Sequence, residues 1–279
     1  MTGIKTGLLL SKIRKWTLCF LLCLSAVGGG CAAKIPHAYG VFLGINGNQI
    51  DRLQPYRTIV IEPAEFQTEQ IQKLHQDGKI VYGYLNIGAL EEYRSYYDRF
   101  KDKTIGVYAD WPDERWMDVS AAKWQAFVVE ELGKRYAAMG LDGFFLDNAD
   151  VYGLYPTEAM FQGLCLILKG LKAYELPLLI NGGDLFVSRC IAERSARSLF
   201  DGVNQETVFT SIDFDHRQYG VQTEADTLYF QEYLAEVKRC GLSVYLLEYH
   251  ADTDLAGRID DYCRKNGFLW YNAESMELR

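Results

Sequence analysis

Seven short apolar runs in this sequence stop on a carboxylate or a carboxamide: Glu62, Asn86, Asp147, Asn181, Glu206, Glu248 and Asn272. The starts of the same runs carry no comparable set. The most loaded ending is Phe144-Phe145-Leu146-Asp147-Asn148-Ala149-Asp150-Val151-Tyr152, where an apolar stretch delivers Asp147 and then Asn148, Asp150 and Tyr152. Asn204-Gln205-Glu206 and Glu248-Tyr249 repeat the pattern. Any one such residue can be a loop or helix cap; seven at one register are poorly explained that way. Two carboxyl groups facing each other suit the cleavage of a bond between sugars. One, its pKa raised by burial or a like charge, protonates the leaving oxygen, and the other attacks or stabilises the anomeric carbon. We assign Asp147 as the nucleophile and Glu206 as the acid/base. Should Glu206 only bind substrate, Glu91 or Glu248 is the partner. A gap of about 5 Å implies retention of configuration and ~6.5–9.5 Å inversion, so the fold decides the outcome.

Around the pair, Glu62, Asn86, Glu91, Trp111, Asn148, Asp150, Tyr152, Asn181, Gln205, Glu248 and Tyr249 are candidate substrate contacts. Asp150 suits either sugar hydroxyls or the orientation of Asp147. Arg94 suits fixing Glu91 near the cleft, or pairing with Asp118. Trp111 and Trp116 fit a sugar subsite or the anchoring of a long loop; Tyr152 and Tyr249 fit stacking or packing.

These residues lie far apart in the chain, so something must gather them. Strands are predicted at Tyr39–Gly44, Thr58–Glu62, Lys79–Asn86, Asp142–Asp147, Leu178–Asn181, Gly202–Glu206, Ser243–Glu248 and Phe268–Asn272. Most are continuously apolar rather than alternating, as strands buried on both faces are. Helical patterns lie between them. Trp124, Phe127, Val128, Leu132 and Met139 mark one over Ser120–Met139, with Ser120 as its N-cap. Others run through Leu164, Leu168 and Leu171, through Phe230, Leu234 and Val237, and through Leu255, Ile259 and Tyr262. Gly78, Gly140, Gly241 and Gly267 each stand between a helix and the next strand, where a left-handed C-cap is needed. The fold class is α/β: a single (β/α)8 TIM barrel over residues 37–279, after an N-terminal signal segment. In such a barrel the C-terminal strand ends converge on one face, where active sites sit.

The leader is residues 1–30. Lys5, Lys12, Arg14 and Lys15 precede an uncharged apolar stretch from Trp16 to Val27, and Gly28, Gly29 and Gly30 lead to Cys31. That is a secretory signal, too short for a comfortable membrane span. Cys31 after small residues resembles a lipobox, although Gly28 replaces its usual Leu. Cys31 is therefore the expected lipidation site, and membrane contact is expected only through that lipid. The protein is expected to be exported, as a cell-surface lipoprotein or a secreted form.

Cleavage before Cys31 leaves 25 Lys/Arg against 37 Asp/Glu, a net charge of −12. Such a chain is a poor nucleic-acid binder and attracts a polycationic polysaccharide. Cys165, Cys190, Cys240 and Cys263 have no metal-type spacing, and only Cys240 with Cys263 is considered as a disulfide. His37, His75, His216 and His250 are scattered without HxH or HExxH. Neither a metal nor a cofactor is expected.

Three stretches together resemble the endo-α-1,4-polygalactosaminidase family, glycoside hydrolase family 114, and its bacterial relatives. They are Tyr84-Leu85-Asn86-Ile87-Gly88-Ala89-Leu90-Glu91-Glu92-Tyr93-Arg94, Asp110-Trp111-Pro112-Asp113-Glu114-Arg115-Trp116-Met117-Asp118, and Asp142-Gly143 through Asp147-Asn148-Ala149-Asp150-Val151-Tyr152. The similarity covers about Tyr39 to Asn272. It implies a TIM barrel with a catalytic Asp after the fourth strand and a catalytic Glu after the sixth, matching Asp147 and Glu206. It also implies a substrate of partly deacetylated, cationic α-1,4-linked galactosamine polymer. Three positions depart from the family pattern: Ala89 stands where many bacterial relatives carry Glu, Asp113 replaces a loop glycine, and Gln205 stands where some relatives place the sixth-strand Glu. The rival readings are a non-catalytic carbohydrate-binding barrel of the envelope and a magnesium-dependent barrel enzyme. In the first, Asp147 and Glu206 would lie far apart, or one would sit in a structural salt bridge.

Overall fold

All eight apolar runs form strands in the computed structural model, which describes residues 37–279. The leader (1–30) and Cys31 lie outside the described residues. The strands are β1 (His37–Phe42), β2 (Tyr56–Ile61), β3 (Ile80–Asn86), β4 (Gly143–Asp147), β5 (Leu178–Asn181), β6 (Gly202–Glu206), β7 (Ser243–Tyr249) and β8 (Leu269–Ala273). They pair in parallel in chain order from β1 to β8, with helices between them, as a (β/α)8 barrel. Side chains such as Ile59, Val60 and Ile61 on β2, or Phe144, Phe145 and Leu146 on β4, are buried whichever face they project from. That double burial is why the runs read as continuous rather than alternating. β1 and β8, at the two ends of the ladder, meet through aromatic rings: Phe42 of β1 packs on Tyr271 of β8 with centroids 5.3 Å apart, and Tyr56 of β2 joins them 5.6 Å from Tyr271. β1 stops at Phe42 rather than Gly44, because the Gly44 N–H turns to the Leu278 carbonyl (3.0 Å).

The helices follow the apolar spacing: Glu158–Lys172, Glu224–Arg239 and Thr253–Asn266 bury the predicted leucines, Val237 and Ile259. The four joint glycines all take positive φ, between 73° and 87°, as the helix-to-strand turn requires. The helix predicted over Ser120–Met139 differs in two ways. Its N-cap is Ala121, because Asp118 takes both the N–H and the hydroxyl of Ser120 at 3.0 and 2.5 Å. Its middle, Phe127–Gly133, widens to a π-helix. Trp124 anchors it: the ring is fully buried against Phe100, and its indole N–H donates to the Ile87 carbonyl just past β3. Cys165, Cys190, Cys240 and Cys263 are all free, so the Cys240–Cys263 bridge does not form.

Two insertions on the C-terminal face carry small sheets of their own. One is three-stranded and antiparallel, with Glu114–Met117 between Ala89–Glu91 and Thr104–Val107; the other is a hairpin of Thr210–Asp213 with Gln218–Val221. The first insertion touches the barrel at Gly88, where a Cβ would lie 1.8 Å from the Asn148 carbonyl oxygen. Gly257, in the middle of Thr253–Asn266, has open space around it. Gly88→Ala should therefore cost roughly 1–3 kcal/mol of stability, while Gly257→Ala should add about 0.5–1 kcal/mol. Urea unfolding checks both; changes of the same sign would contradict the packing described.

Candidate active site

Four neighbouring strands end on side chains that reach one another: Asp147 on β4, Asn181 on β5, Glu206 on β6 and Tyr249 on β7. On each, the following residue takes a left-handed φ: Asn148 68°, Gly182 63°, Thr207 53° and His250 54°. The chain thus leaves the barrel wall at once, and the last strand residue is left at the mouth. Glycine adopts this backbone freely, whereas for the others it costs ~1–2 kcal/mol each, least for Asn and most for the β-branched Thr207.

Asn181 joins the two acids. Its amide nitrogen has two hydrogens and donates one to Asp147 Oδ1 (2.8 Å) and one to Glu206 Oε1 (2.7 Å). Laid end to end, those bonds hold the two oxygens within about 5.5 Å of each other. The amide cannot flip, because its own oxygen accepts from Asn204 (2.7 Å), whose oxygen accepts from the buried Tyr39 hydroxyl (2.9 Å). The remaining oxygens of the pair each take a tyrosine hydroxyl: Tyr84 donates to Asp147 Oδ2 (2.9 Å) and Tyr249 to Glu206 Oε2 (2.5 Å). No cation is among the groups that set the titration of either acid.

Burial pushes Glu206 up to about 7; the charges of Asp147 and Asp150 add to this, and hydrogen bonds from Tyr249 and Asn181 oppose it. Burial also raises Asp147, against hydrogen bonds from Asn181, Tyr84 and the Asn148 N–H that favour its anion. Asp150 is raised to about 6 by burial, while the Gly183 N–H holds its Oδ1 at 3.0 Å. Bridged so closely, Asp147 and Glu206 titrate as a pair.

The pair opens into a cleft of about 890 Å³. Asn148, Asp150, Asn181, Gln205 and Tyr249 line it as expected, and so do Glu62, Glu91 and Trp111. Gln205 steadies its neighbour by donating to the Glu206 carbonyl (3.1 Å). Arg94 serves Glu62 and Glu91 together, at 2.8 and 2.9 Å, rather than Asp118. Trp111 is 38% exposed and meets Phe214 of the hairpin edge-on at 5.9 Å. Trp116, by contrast, is buried and stacked on Tyr108 at 4.1 Å, so it anchors the loop.

Three predicted contacts do not reach the cleft surface. Glu248 is 0% exposed, and it clamps the chain after β6 by accepting from the N–H groups of Phe209 and Thr210 and from the Thr210 hydroxyl. Adjacent strand residues face opposite ways, so with Tyr249 at the mouth Glu248 must turn away. Tyr152 packs on Phe161 and Phe186, and its hydroxyl takes Arg189 (3.2 Å). Asn86 faces the same side as Asp147 but is buried beneath the cleft floor: it accepts from the Ala89 N–H (2.8 Å) and donates to Glu114 (3.3 Å). Asn272, in the same expected ring, binds Ala251 through both ends of its amide. The sequence reading missed Glu114, Tyr84, Asn204 and Phe214. Tyr84 has a signal after the fact, since it stands two residues before Asn86 on the same face of β3. Glu114 lies within one of the stretches that carry the family resemblance, but only the register of the inserted sheet shows what it faces.

A sequence model of glycoside-hydrolase family GH114 matches residues 38–274. An uncharacterized protein of Deinococcus radiodurans is 23% identical over 240 residues, which cover 79% of this chain and 73% of that one. The glycoside hydrolase domain of PelA from Pseudomonas aeruginosa has a similar structure, with a TM-score of 0.74 at 19% identity, covering 87% of this chain and 96% of the domain. Ega3 from Aspergillus fumigatus, solved in complex with galactosamine, gives 0.67 at 16% identity, covering 88% and 93%. These structures share the fold.

Asn181→Ala and Tyr249→Phe each remove a hydrogen bond to the charged form of Glu206. Both should move its titration upward from about 7, as carboxyl-carbon NMR can follow. An unchanged or lowered midpoint would mean that these donors do not set the acid.

Proposed function

The chain belongs to glycoside-hydrolase family GH114 and is a glycosidase; from that premise we propose that it cleaves an amino-sugar polysaccharide within chains of α-1,4-linked galactosamine, using Asp147 and Glu206 with retention of configuration. The observation that carries the mechanism is the single carboxamide spanning two buried carboxyl groups. Oxygens within about 5.5 Å of each other leave too little room for a water between the acid and the sugar, and match the spacing of ~5–5.5 Å typical of retaining enzymes. With its midpoint at about 7, Glu206 keeps a proton for the leaving oxygen near neutrality. Asp147, offered three hydrogen bonds that favour its anion, is the better nucleophile. In the first step its carboxylate bonds to the anomeric carbon as the glycosidic bond breaks and the proton of Glu206 passes to the departing oxygen. In the second, Glu206 takes a proton from water, the resulting hydroxide bonds to the same carbon, and Asp147 leaves.

The substrate class is supported by charge. Nine carboxyl side chains line the cleft against two guanidinium groups, a field that favours a polycation and disfavours a polyanion. Galactosamine in the Ega3 complex points the same way, and the linkage and endo action rest on the family resemblance. Export, with lipid attachment at Cys31, is part of the same proposal.

Asp147→Asn and Glu206→Gln should each lower hydrolysis of a galactosamine-rich polymer by at least ~10³-fold, with circular dichroism unchanged. Full activity in either variant removes the assignment. Polymer binding without cleavage by the wild type would instead favour the non-catalytic barrel. Because Glu206 acts as the protonated form, kcat/KM should fall as pH rises through about 7. It should fall again on the acid side as Asp147 takes up a proton; a profile flat across neutral pH would contradict these roles.

A further inference from the structure

The inserted sheet sets Glu91 directly opposite Glu114. Residues so paired project from the same face with Cβ atoms ~4.5–5.5 Å apart, where like charges repel. Both line the cleft. Glu91 is 1% exposed; its Oε1 is taken by Arg94, and its Oε2 is buried with no partner. Arg94 is shared, since the same Nη2 also serves Glu62. Glu114 has no ion pair among the described residues and receives only long amide contacts, 3.3 Å from Asn86 and 3.5 Å from Asn148. Asn148 is the residue after Asp147, so this acidic pair sits beside the nucleophile. The groups that act on Glu114 are Glu91, Asp147, Asn86 and Arg94, and burial together with the two carboxylates pushes it up to about 8.

The local balance is thus a surplus of acceptor oxygens and a deficit of donors. An ammonium group fits that balance, with three N–H donors, one positive charge and no acceptor. An acetylated amine does not: it offers one N–H and brings a carbonyl oxygen and a methyl against carboxylates. A hydroxyl supplies one donor and no charge. On a sugar whose anomeric carbon lies at Asp147, C2 is bonded to that carbon, which puts the C2 amine within reach of an acid beside Asp147.

We propose that Glu91 and Glu114 form a subsite for the C2 ammonium of the amino sugar next to Asp147, and that this pair makes the enzyme select free over N-acetylated amine. The proposal rests on the amino-sugar reading above and adds the residues that enforce it. Filling the subsite turns Glu114 into its anion, so a proton leaves the protein as the substrate binds near pH 7.

The test uses the Glu206→Gln chain, which keeps the Asp147 charge beside Glu114 and removes the other group that titrates near 7, and titration calorimetry at pH 7 in two buffers of different ionisation enthalpy. The probes are α-1,4-galactosamine oligosaccharides of one length, fully deacetylated or fully N-acetylated. The deacetylated form should bind roughly tenfold tighter or more, with release of a proton. Adding Glu114→Gln should remove most of that preference and the proton release, while the variant melts no lower than its parent because a repelling group has gone. Glu91→Gln, which leaves Arg94 with Glu62, should weaken the preference too. A well-folded Glu114→Gln chain that keeps both the preference and the proton release overturns the subsite and leaves the hydrolase reading standing. If the Glu206→Gln chain binds neither oligosaccharide and the wild type cleaves a neutral glycan, the amino-sugar reading fails and the subsite with it.

Discussion

One carboxamide nitrogen with two hydrogens fixes the geometry of the candidate active site. Asn181 can satisfy Asp147 and Glu206 together only if β4, β5 and β6 hold their present register, because a slip of one residue turns a strand's side chains to the opposite face. The amide is oriented in turn from inside the barrel, through Asn204 and the Tyr39 hydroxyl. The spacing of the acids is therefore a property of the barrel rather than of the inserted loops above it. Two acids that would repel in isolation are held by neutral donors alone, which leaves both raised toward neutrality instead of locked as charged ions.

The same mouth carries part of the backbone strain of the fold. Residues after three of the four site positions take left-handed backbone that L side chains disfavour. Several carboxyl groups lie buried with a single guanidinium, Arg94, among them. Such costs persist where the surrounding structure over-determines them, and here the surroundings are the rigid parts of the molecule. The barrel ladder holds the strand ends. Trp124 ties the π-containing helix to the end of β3, and the close approach at Gly88 seats the inserted sheet against Asn148.

Much of this was legible in the sequence because the barrel leaves a simple trace: strands buried on both faces are continuous apolar runs, and their mouth ends are polar. That logic names Asp147, Glu206, Asn181 and Asp150, and the structure brings the four together at the cleft. Glu248 shows its limit. A polar residue at a strand end may face the mouth or the helices, and here Tyr249 takes the mouth while Glu248 staples the chain after β6. Tyr152 fails for a related reason, since it lies in the short helix Val151–Leu154 and turns its ring onto Phe161 and Phe186 of the two helices that follow. Glu114 was not readable as a site residue, because its meaning comes from facing Glu91 across an antiparallel ladder within an irregular loop. Ser120 looked like a helix cap and lost that role to the local competition of Asp118.

The central claim is that the two acids stand close enough for direct attack by Asp147, with no water between acid and sugar. The stereochemistry of the first-formed product tests it most directly. Proton NMR of an α-linked galactosamine oligosaccharide, recorded before mutarotation, should show the new reducing end appearing as the α anomer. Initial release of the β anomer would mean inversion, and the bridge through Asn181 would then not describe the working site.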